Sequence, residues 1–136
     1  MPLRPRVTLS VDKALNILTL RYIGDLDGAG LYAQLLEQFL QLGDPWTYDL
    51  IVDFSRYDGV MTAQDSESFG KVWANLAQGR DAGRLMAIVT RDPLIAARQS
   101  IRVSIFPNFL IDVFSDCAEA QSWIRQFRDP PRAVCA

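Results

Sequence analysis

Two short runs, DLIVDF at 49–54 and LMAIV at 85–89, most constrain what this chain can fold into. Both are almost wholly apolar, so a strand formed by either run would bury both of its faces. Such strands are typical of the centre of a parallel sheet that helices cover on both sides. We therefore predict an α/β domain built around these two strands.

Three further strands are predicted around this pair. The segments 7–11 and 17–23 alternate between apolar and polar residues, and the polar turn between them indicates a β-hairpin. The last strand is predicted at 110–114. Strands that alternate with helices require a mostly parallel sheet, to which the hairpin adds an antiparallel strand. The predicted order is β-β-α-β-α-β-α-β-α, with five strands and four helices.

Apolar residues at helical spacing and capping residues place the four helices. The first is predicted at 29–42, and the second begins at Thr62, which forms a capping-box pattern with Asp65. The third opens at Asp92 and Pro93 and continues to Ile105. The fourth follows Asp116 and ends near residue 127. At 136 residues the chain predicts one domain, 7–127, between a flexible N-terminus (1–6) and a flexible proline-containing tail (128–136).

Composition excludes several function classes. The net charge of −2 argues against a nucleic-acid-binding protein that relies on a general basic field. The chain has no histidine, which removes the commonest general base and most zinc sites. It has no nucleotide-binding glycine motif, signal peptide or apolar run of transmembrane length. We expect a cytoplasmic protein without catalytic residues, metal or cofactor.

One candidate site surrounds the start of the second helix. Asp53 ends a predicted parallel strand, where α/β folds place their chemistry. We expect its carboxylate to bond the adjoining loop, and the alternative is that it holds a metal ion together with Asp58. A helix N-terminus also favours an anion, so phosphorylation near Thr62 is physically tolerable. The alternative is that Thr62 only caps the helix and the nearby serines are solvated. The predicted interaction or phosphorylation surface comprises Asp53, Tyr57, Asp58, Thr62, Asp65 and Ser66.

Two further candidates lie on the first and third helices. Arg91, Arg98 and Arg102 can bind an acidic partner or a phosphate head group, or they can form a solvated helix face. On the first helix, an apolar stripe contains Leu31, Leu35 and Phe39, and Tyr32, Leu36 and Leu40 widen it. A stripe this wide requires cover, which a sheet, a partner or an apolar ligand can provide.

The hairpin and three later segments, LIVDFSRYDGVMTAQD, LMAIVT with its RDP helix start, and IDVFSDCAEAQSWI, carry a resemblance to a known family. From about residue 7 to 127 the chain resembles the SpoIIAA-like group of small bacterial proteins, which share the STAS and CRAL-TRIO type of α/β architecture. The resemblance implies the same fold and specifies no catalytic motif.

The two sides of this resemblance imply different functions. STAS antagonists of anti-sigma factors are phosphorylated on a serine in an Asp-Ser-Ser-Gly-Leu type of motif. Asp65 and Ser66 match its first pair, whereas Glu67, Ser68 and Phe69 depart from the rest. The CRAL-TRIO side implies an apolar ligand between helix and sheet.

We therefore expect a non-enzymatic, STAS-like regulatory module that binds a protein partner or itself, for example as a homodimer. The alternative is a carrier of a lipid or other apolar molecule, which requires a cavity of several hundred Å³ and would be contradicted by a solid core. An enzyme is the third hypothesis, and no nucleophile–base pair in the sequence supports it.

Overall fold

The computed structural model describes residues 5–128, apart from the side chains at positions 99–101. Its elements are β1 (Arg6–Asp12), β2 (Ile17–Gly24), α1 (Gly28–Leu42), β3 (Asp49–Tyr57), α2 (Ala63–Ala77), β4 (Leu85–Val89), α3 (Pro93–Ala97), α4 (Gln99–Ile105), β5 (Leu110–Phe114) and α5 (Cys117–Arg128). The folded part therefore extends one residue beyond each predicted domain boundary, to Arg6 and Arg128. The remaining predicted ends, 1–4 and 129–136, lie outside the described residues.

The five strands form one mixed sheet in the order β1-β2-β3-β4-β5. β1 and β2 pair antiparallel, and every later pair is parallel. The predicted fold class is thus confirmed. β3 and β4 hold the centre, with Ile51 opposite Ala87, as their apolar sequences require.

The sequential strand order decides which face each helix covers. Parallel strands are joined by right-handed crossovers, so successive crossovers that advance in one direction place their helices on one face. α1, α2 and α4 accordingly pack on one side of the sheet, the helix-rich face, and α5 covers the other side, the α5 face. The two faces have separate apolar cores.

On the helix-rich face, α1 buries Leu31, Leu35 and Phe39, each at most 1% exposed. α2 adds Phe69 and Trp73, at the spacing that the sequence predicts. The predicted stripes are wider than the buried ones. Leu40 of the predicted α1 stripe is 62% exposed, and Val72, which lies next to Trp73 in α2, is 39% exposed. Periodicity shows a helical face without showing how far a partner covers it.

The α5 face is smaller and is anchored by a charge. Ala120 and Ile124 of α5 pack without exposure on aliphatic side chains of β2, β3 and β4. At one end of this contact the buried Asp49 carboxylate accepts from Arg128 Nε at 2.6 Å and from the Leu85 N–H at 2.9 Å. Arg128 also donates to the carbonyl of Leu15. The end of α5 is therefore tied to β3, β4 and the hairpin turn.

The structure corrects two predicted elements. β3 continues beyond the predicted run at 49–54 as far as Tyr57, because the end of β2 still pairs with it. The predicted third helix is two helices, α3 and α4, so the described part of the chain has five α-helices instead of four. The break falls at Arg98, whose ψ of 11° departs from helical geometry and whose N–H bonds to Ile95.

α2 and α4 approach each other closely at Gly70. A Cβ at this position would lie 2.4 Å from Ile105 Cγ2, closer than real Cβ atoms come to a neighbour. A glycine is therefore required for α4 to pack at this distance. The short α3, by contrast, buries none of its residues, and its Leu94 is 71% exposed.

Candidate functional site

A cleft of about 490 Å³ lies on the helix-rich face, beyond the carboxyl ends of β3 and β4. The loop between β3 and α2, residues 58–62, forms one wall, and α3 and α4 form the other. Open α/β sheets place their ligands at this edge of parallel strands. The cleft is lined by Phe54, Tyr57, Asp58, Gly59, Val60, Met61, Thr62, Ala63, Ser66, Asp92, Leu94, Ile95, Arg98, Arg102 and Ile105.

The loop wall is held in place by contacts at both of its ends. The Tyr57 hydroxyl donates to the Leu26 carbonyl at 2.9 Å, and a Cβ at Gly59 would lie 2.3 Å from that same oxygen. At the far end, Thr62 Oγ1 accepts from the Asp65 N–H at 3.0 Å, and the Asp65 carboxylate accepts from the Thr62 N–H. The predicted capping box is confirmed, and it fixes the start of α2 beside the cleft.

The floor of the cleft lies above the apolar core. Phe54, Ser66 and Arg102 line both the cleft and a smaller cavity of about 40 Å³ beneath it. In this cavity the Tyr32 hydroxyl lies 3.2 Å from Ser66 Oγ and donates to Met61 Sδ at 3.0 Å. Burial raises the pKa of Tyr32 and of the neighbouring Tyr22, so both hydroxyls stay protonated. The predicted surface residue Ser66 thus lies between cleft and cavity, lining the cleft while its hydroxyl contacts Tyr32 in the cavity beneath.

Two of the three predicted anion-binding arginines meet at this cleft. The Arg98 guanidinium donates across it, from the junction of α3 and α4 to the Met61 carbonyl at 2.8 Å. Arg102 lies one turn later, half-buried, and donates to the Ile95 carbonyl at 2.8 Å. Its guanidinium is 5.5 Å from the centre of the Phe54 ring, and burial lowers its pKa. Arg91 is exposed and does not line the cleft, so only two of the three predicted arginines lie together.

Asp53 lies apart from the rest of the predicted surface. Its carboxylate accepts from the Ser55 N–H at 2.9 Å, and on the α5 face it meets Cys117 Sγ at 3.6 Å and Arg21 at 3.6 Å. Burial, and secondarily the charge of Asp53, raise the pKa of the Cys117 thiol. Asp58 is exposed at the cleft on the opposite face, so the two carboxylates do not form the metal pair that their sequence positions permit.

Acidic groups elsewhere in the described residues do not form a metal site either. No three His, Cys, Asp or Glu side chains in that part of the chain come together in a way that could hold a metal ion.

The predicted apolar ligand site on α1 is filled by protein. Leu31, Leu35 and Phe39 are buried against the sheet and α2, and the cavity beside Leu35 and Phe39 measures only about 40 Å³. That volume holds a few waters at most, whereas ligand pockets measure roughly 300–1,000 Å³. The required volume exists, but it lies at the cleft instead of between α1 and the sheet.

Sequence reasoning missed the apolar walls of the cleft. These are Val60 and Met61 in the loop and Leu94, Ile95 and Ile105 in α3 and α4. The signal that could have found them is their position, since both segments follow the carboxyl ends of neighbouring central strands.

Comparison with known proteins tests the fold. No family model matches the chain, and no curated protein matches it significantly. A solved structure does match: an uncharacterised protein of the DUF3478 family from Shewanella loihica PV-4, with a TM-score of 0.64 over 91% of this chain and 98% of that chain. That protein has a SpoIIAA-like fold. This chain has the same fold.

The match confirms the fold that the sequence resemblance implies. At 14% identity the match establishes the fold alone, and it does not identify a ligand or a function for the cleft. Among residues 5–128, no helix combines the length and the apolar character that crossing a bilayer would require.

Proposed function

We propose that this protein is a non-enzymatic, cytoplasmic binding protein that holds an apolar small molecule in the cleft beyond β3 and β4. The observation that carries the proposal is the cleft volume of about 490 Å³, at the sheet edge where α/β folds bind ligands. This volume lies within the roughly 300–1,000 Å³ of small-molecule sites.

Exposed apolar side chains at the cleft support an apolar ligand. Val60 is 74% exposed on the loop wall, and Leu94 is 71% exposed on the α3 wall. An apolar molecule between the walls would remove part of both side chains from water, which is favourable by roughly 25 cal/mol per Å². Between them, Met61, Ile95 and Ile105 extend the apolar lining toward the floor.

The described chemistry of the cleft supports binding in preference to catalysis. The hydroxyl nearest to Ser66 belongs to Tyr32, whose pKa is raised by burial, so it does not act as a base toward Ser66. The chain offers no histidine for that role. Ser66 with Tyr32 is therefore a packing and hydrogen-bonding pair.

Native mass spectrometry with a matched pair of variants tests the proposal. Ala63 is exposed and lines the cleft, whereas Ala74 is exposed on the same helix about 16 Å farther along. We expect wild type and Ala74→Trp, purified from a bacterial cytoplasm without refolding, to carry extra mass that denaturation removes. Ala63→Trp fills the cleft and should carry none. Extra mass retained at the wild-type level by Ala63→Trp would contradict binding in this cleft.

The exposed loop wall favours a second candidate function, a protein-interaction module that pairs with a partner or with itself. Val60 projects from residues 58–62, beside the Ser66 region that the STAS resemblance singles out. In the self-association form of this proposal, sedimentation should show a dimer that Val60→Asp and Ser66→Asp both weaken. A wild-type protein that stays monomeric at all concentrations would contradict it.

A further inference from the structure

The floor of the cleft carries a guanidinium whose charge no described side chain neutralises. Arg102 lies where the cleft meets the core cavity, against the Phe54 ring. The ion pairs among the described residues are Arg21–Asp53, Arg84–Asp49 and Arg128–Asp49, and none includes Arg102. Among the described residues, the Arg102 guanidinium donates to a neutral carbonyl, that of Ile95. A half-buried charge of this kind favours a bound anion, because burying a charge costs free energy unless it is paired.

The surroundings of Arg102 add hydrogen-bond donors for such an anion. Ser66 shares the floor of the cleft, and its hydroxyl can donate upward when Tyr32 donates to it or to Met61. A planar guanidinium can bind both oxygens of a carboxylate or phosphate at once, and a hydroxyl can add a third contact.

The acidic residues of the cleft lie away from this floor. Asp58 is exposed in the loop wall. Asp92 uses its carboxylate as the N-cap of α3, accepting from the Leu94 N–H at 2.9 Å. Arg98 is exposed in the wall and donates across the cleft to the Met61 carbonyl, which is neutral, so its charge is left to the solvent. The cleft is thus cationic at its half-buried floor through Arg102, whereas its walls are apolar and carry exposed charges of both signs.

From this arrangement we propose that Arg102 binds the oxyanion head group of an amphipathic acid, with the apolar body lying against Met61, Ile95 and Ile105. The inference rests on the proposed function, since it assigns the orientation and the chemical class of the ligand in the same cleft. It makes Arg102 the residue that determines specificity, by selecting acids over neutral molecules of equal length.

Titration calorimetry with three probes tests the assignment: octanoate, octan-1-ol and inorganic phosphate. We expect wild type to bind octanoate about tenfold or more tighter than octan-1-ol, because a hydrogen bond to a charged group contributes roughly 1.5–3 kcal/mol. Inorganic phosphate alone should bind weakly, because it lacks the apolar body. Arg102→Met should remove the preference for octanoate and leave the affinity for octan-1-ol within about threefold.

Two control variants keep the test falsifiable. Arg125→Met removes an exposed arginine from α5, on the other face of the sheet, and should change neither affinity. Arg102→Lys keeps the charge and should retain part of the preference for octanoate. It provides the test if Arg102→Met does not fold.

The remaining outcomes separate the two proposals. Equal wild-type affinities for octanoate and octan-1-ol would overturn the head-group site and leave apolar binding intact. Failure of both long-chain probes to bind would overturn the proposed function as well. Inorganic phosphate that binds as tightly as octanoate would show a site for a free anion, and would overturn the amphipathic ligand.

Discussion

The two faces of the sheet bury apolar surface in different ways. The helix-rich face packs aromatic rings on one another, such as Tyr32 stacked on Phe69 with ring centres 4.4 Å apart, and still leaves a cleft at one edge. The buried core of the α5 face is aliphatic, with Ala87 and Ala120 both fully buried, and its ring contact between Phe114 and Trp123 lies among the partly buried residues. It is completed by the buried charge of Asp49.

With the function that we propose, this difference assigns stability to one face of the sheet and ligand binding to the other. A single helix covers the α5 face, so its end must be held by a specific contact. Three crossover connections between parallel strands place their helices on the helix-rich face. The helix of the last connection is broken at Arg98 into α3 and α4. Because α3 buries none of its residues, it does not fill the cleft, and we assign this open volume to a ligand.

The largest effect is expected from removing the charge that completes the α5 face. Asp49→Ala removes the acceptor of Arg128 Nε and of the buried Leu85 N–H, so we expect the free energy of unfolding to fall by about 2–4 kcal/mol in urea denaturation. Asp44→Ala, at an exposed aspartate without a side-chain cap bond, should change it by less than about 0.5 kcal/mol. A similar small loss for both variants would show that this contact does not anchor α5.

On the helix-rich face, Gly70→Ala should separate α2 from α4. The added methyl group meets Ile105 Cγ2, and we expect a loss of about 1–3 kcal/mol in the free energy of unfolding. Because Ile105 also lines the cleft, octanoate binding should weaken in the same variant. Ser68→Ala, at an exposed position of the same helix, is the control and should alter neither measurement. Unchanged stability in Gly70→Ala would mean that α4 is free to shift.

The loop wall of the cleft should respond to alkaline pH through Tyr57. Burial raises the pKa of Tyr57 from 10.0 to about 12, so its neutral form stabilises the fold below pH 10 and this contribution is lost between pH 10 and about 12. Tyr57→Phe removes the bond to Leu26, which should cost about 1 kcal/mol at neutral pH. Its stability should then fall less steeply above pH 10 in denaturation curves. Parallel curves for both proteins in this window would contradict the raised pKa.

The smallest effect is expected at an ion pair on the α5 face in which the arginine is half exposed and the aspartate is buried. Arg21 lies 3.6 Å from Asp53 with 48% of its side chain exposed, so Arg21→Gln should cost less than about 1 kcal/mol. The charge of Arg21 lowers the pKa of Cys117, against the larger upward effects of burial and Asp53. The variant should therefore alkylate more slowly at fixed pH. Faster alkylation would show that Arg21 shields the thiol sterically.

Most of the fold could be predicted because it depends on local patterns. The apolar runs of β3 and β4, the alternation of β1 and β2 and the capping box at Thr62 each identify an element by itself. The break at Arg98 could not be found, because Leu94 and Ile105 continue one apolar spacing across it. Periodicity also assigns Leu94 to a buried face without showing that nothing covers it.

The candidate site could be predicted only in fragments. Arg98, Arg102 and Ser66 were selected as separate candidates, on a helix face and at a helix start. What joins them is the packing of α4 against α2, which brings residues 58–66 next to residues 92–105. The volume between two such segments depends on tertiary distances that a sequence does not state. For the same reason the α1 stripe suggested a ligand, although Phe69 and Trp73 fill the space beneath it.

Backbone amide NMR during a titration with octanoate tests the central claim most directly, because it reports on both faces of the sheet at once. We predict that shifts concentrate in the cleft, at Asp58, Ser66, Ile95 and Arg102. The amides of Ala120 and Ile124 on the α5 face should stay unchanged. Shifts that are absent from the cleft, or that are as large on the α5 face, would contradict the account.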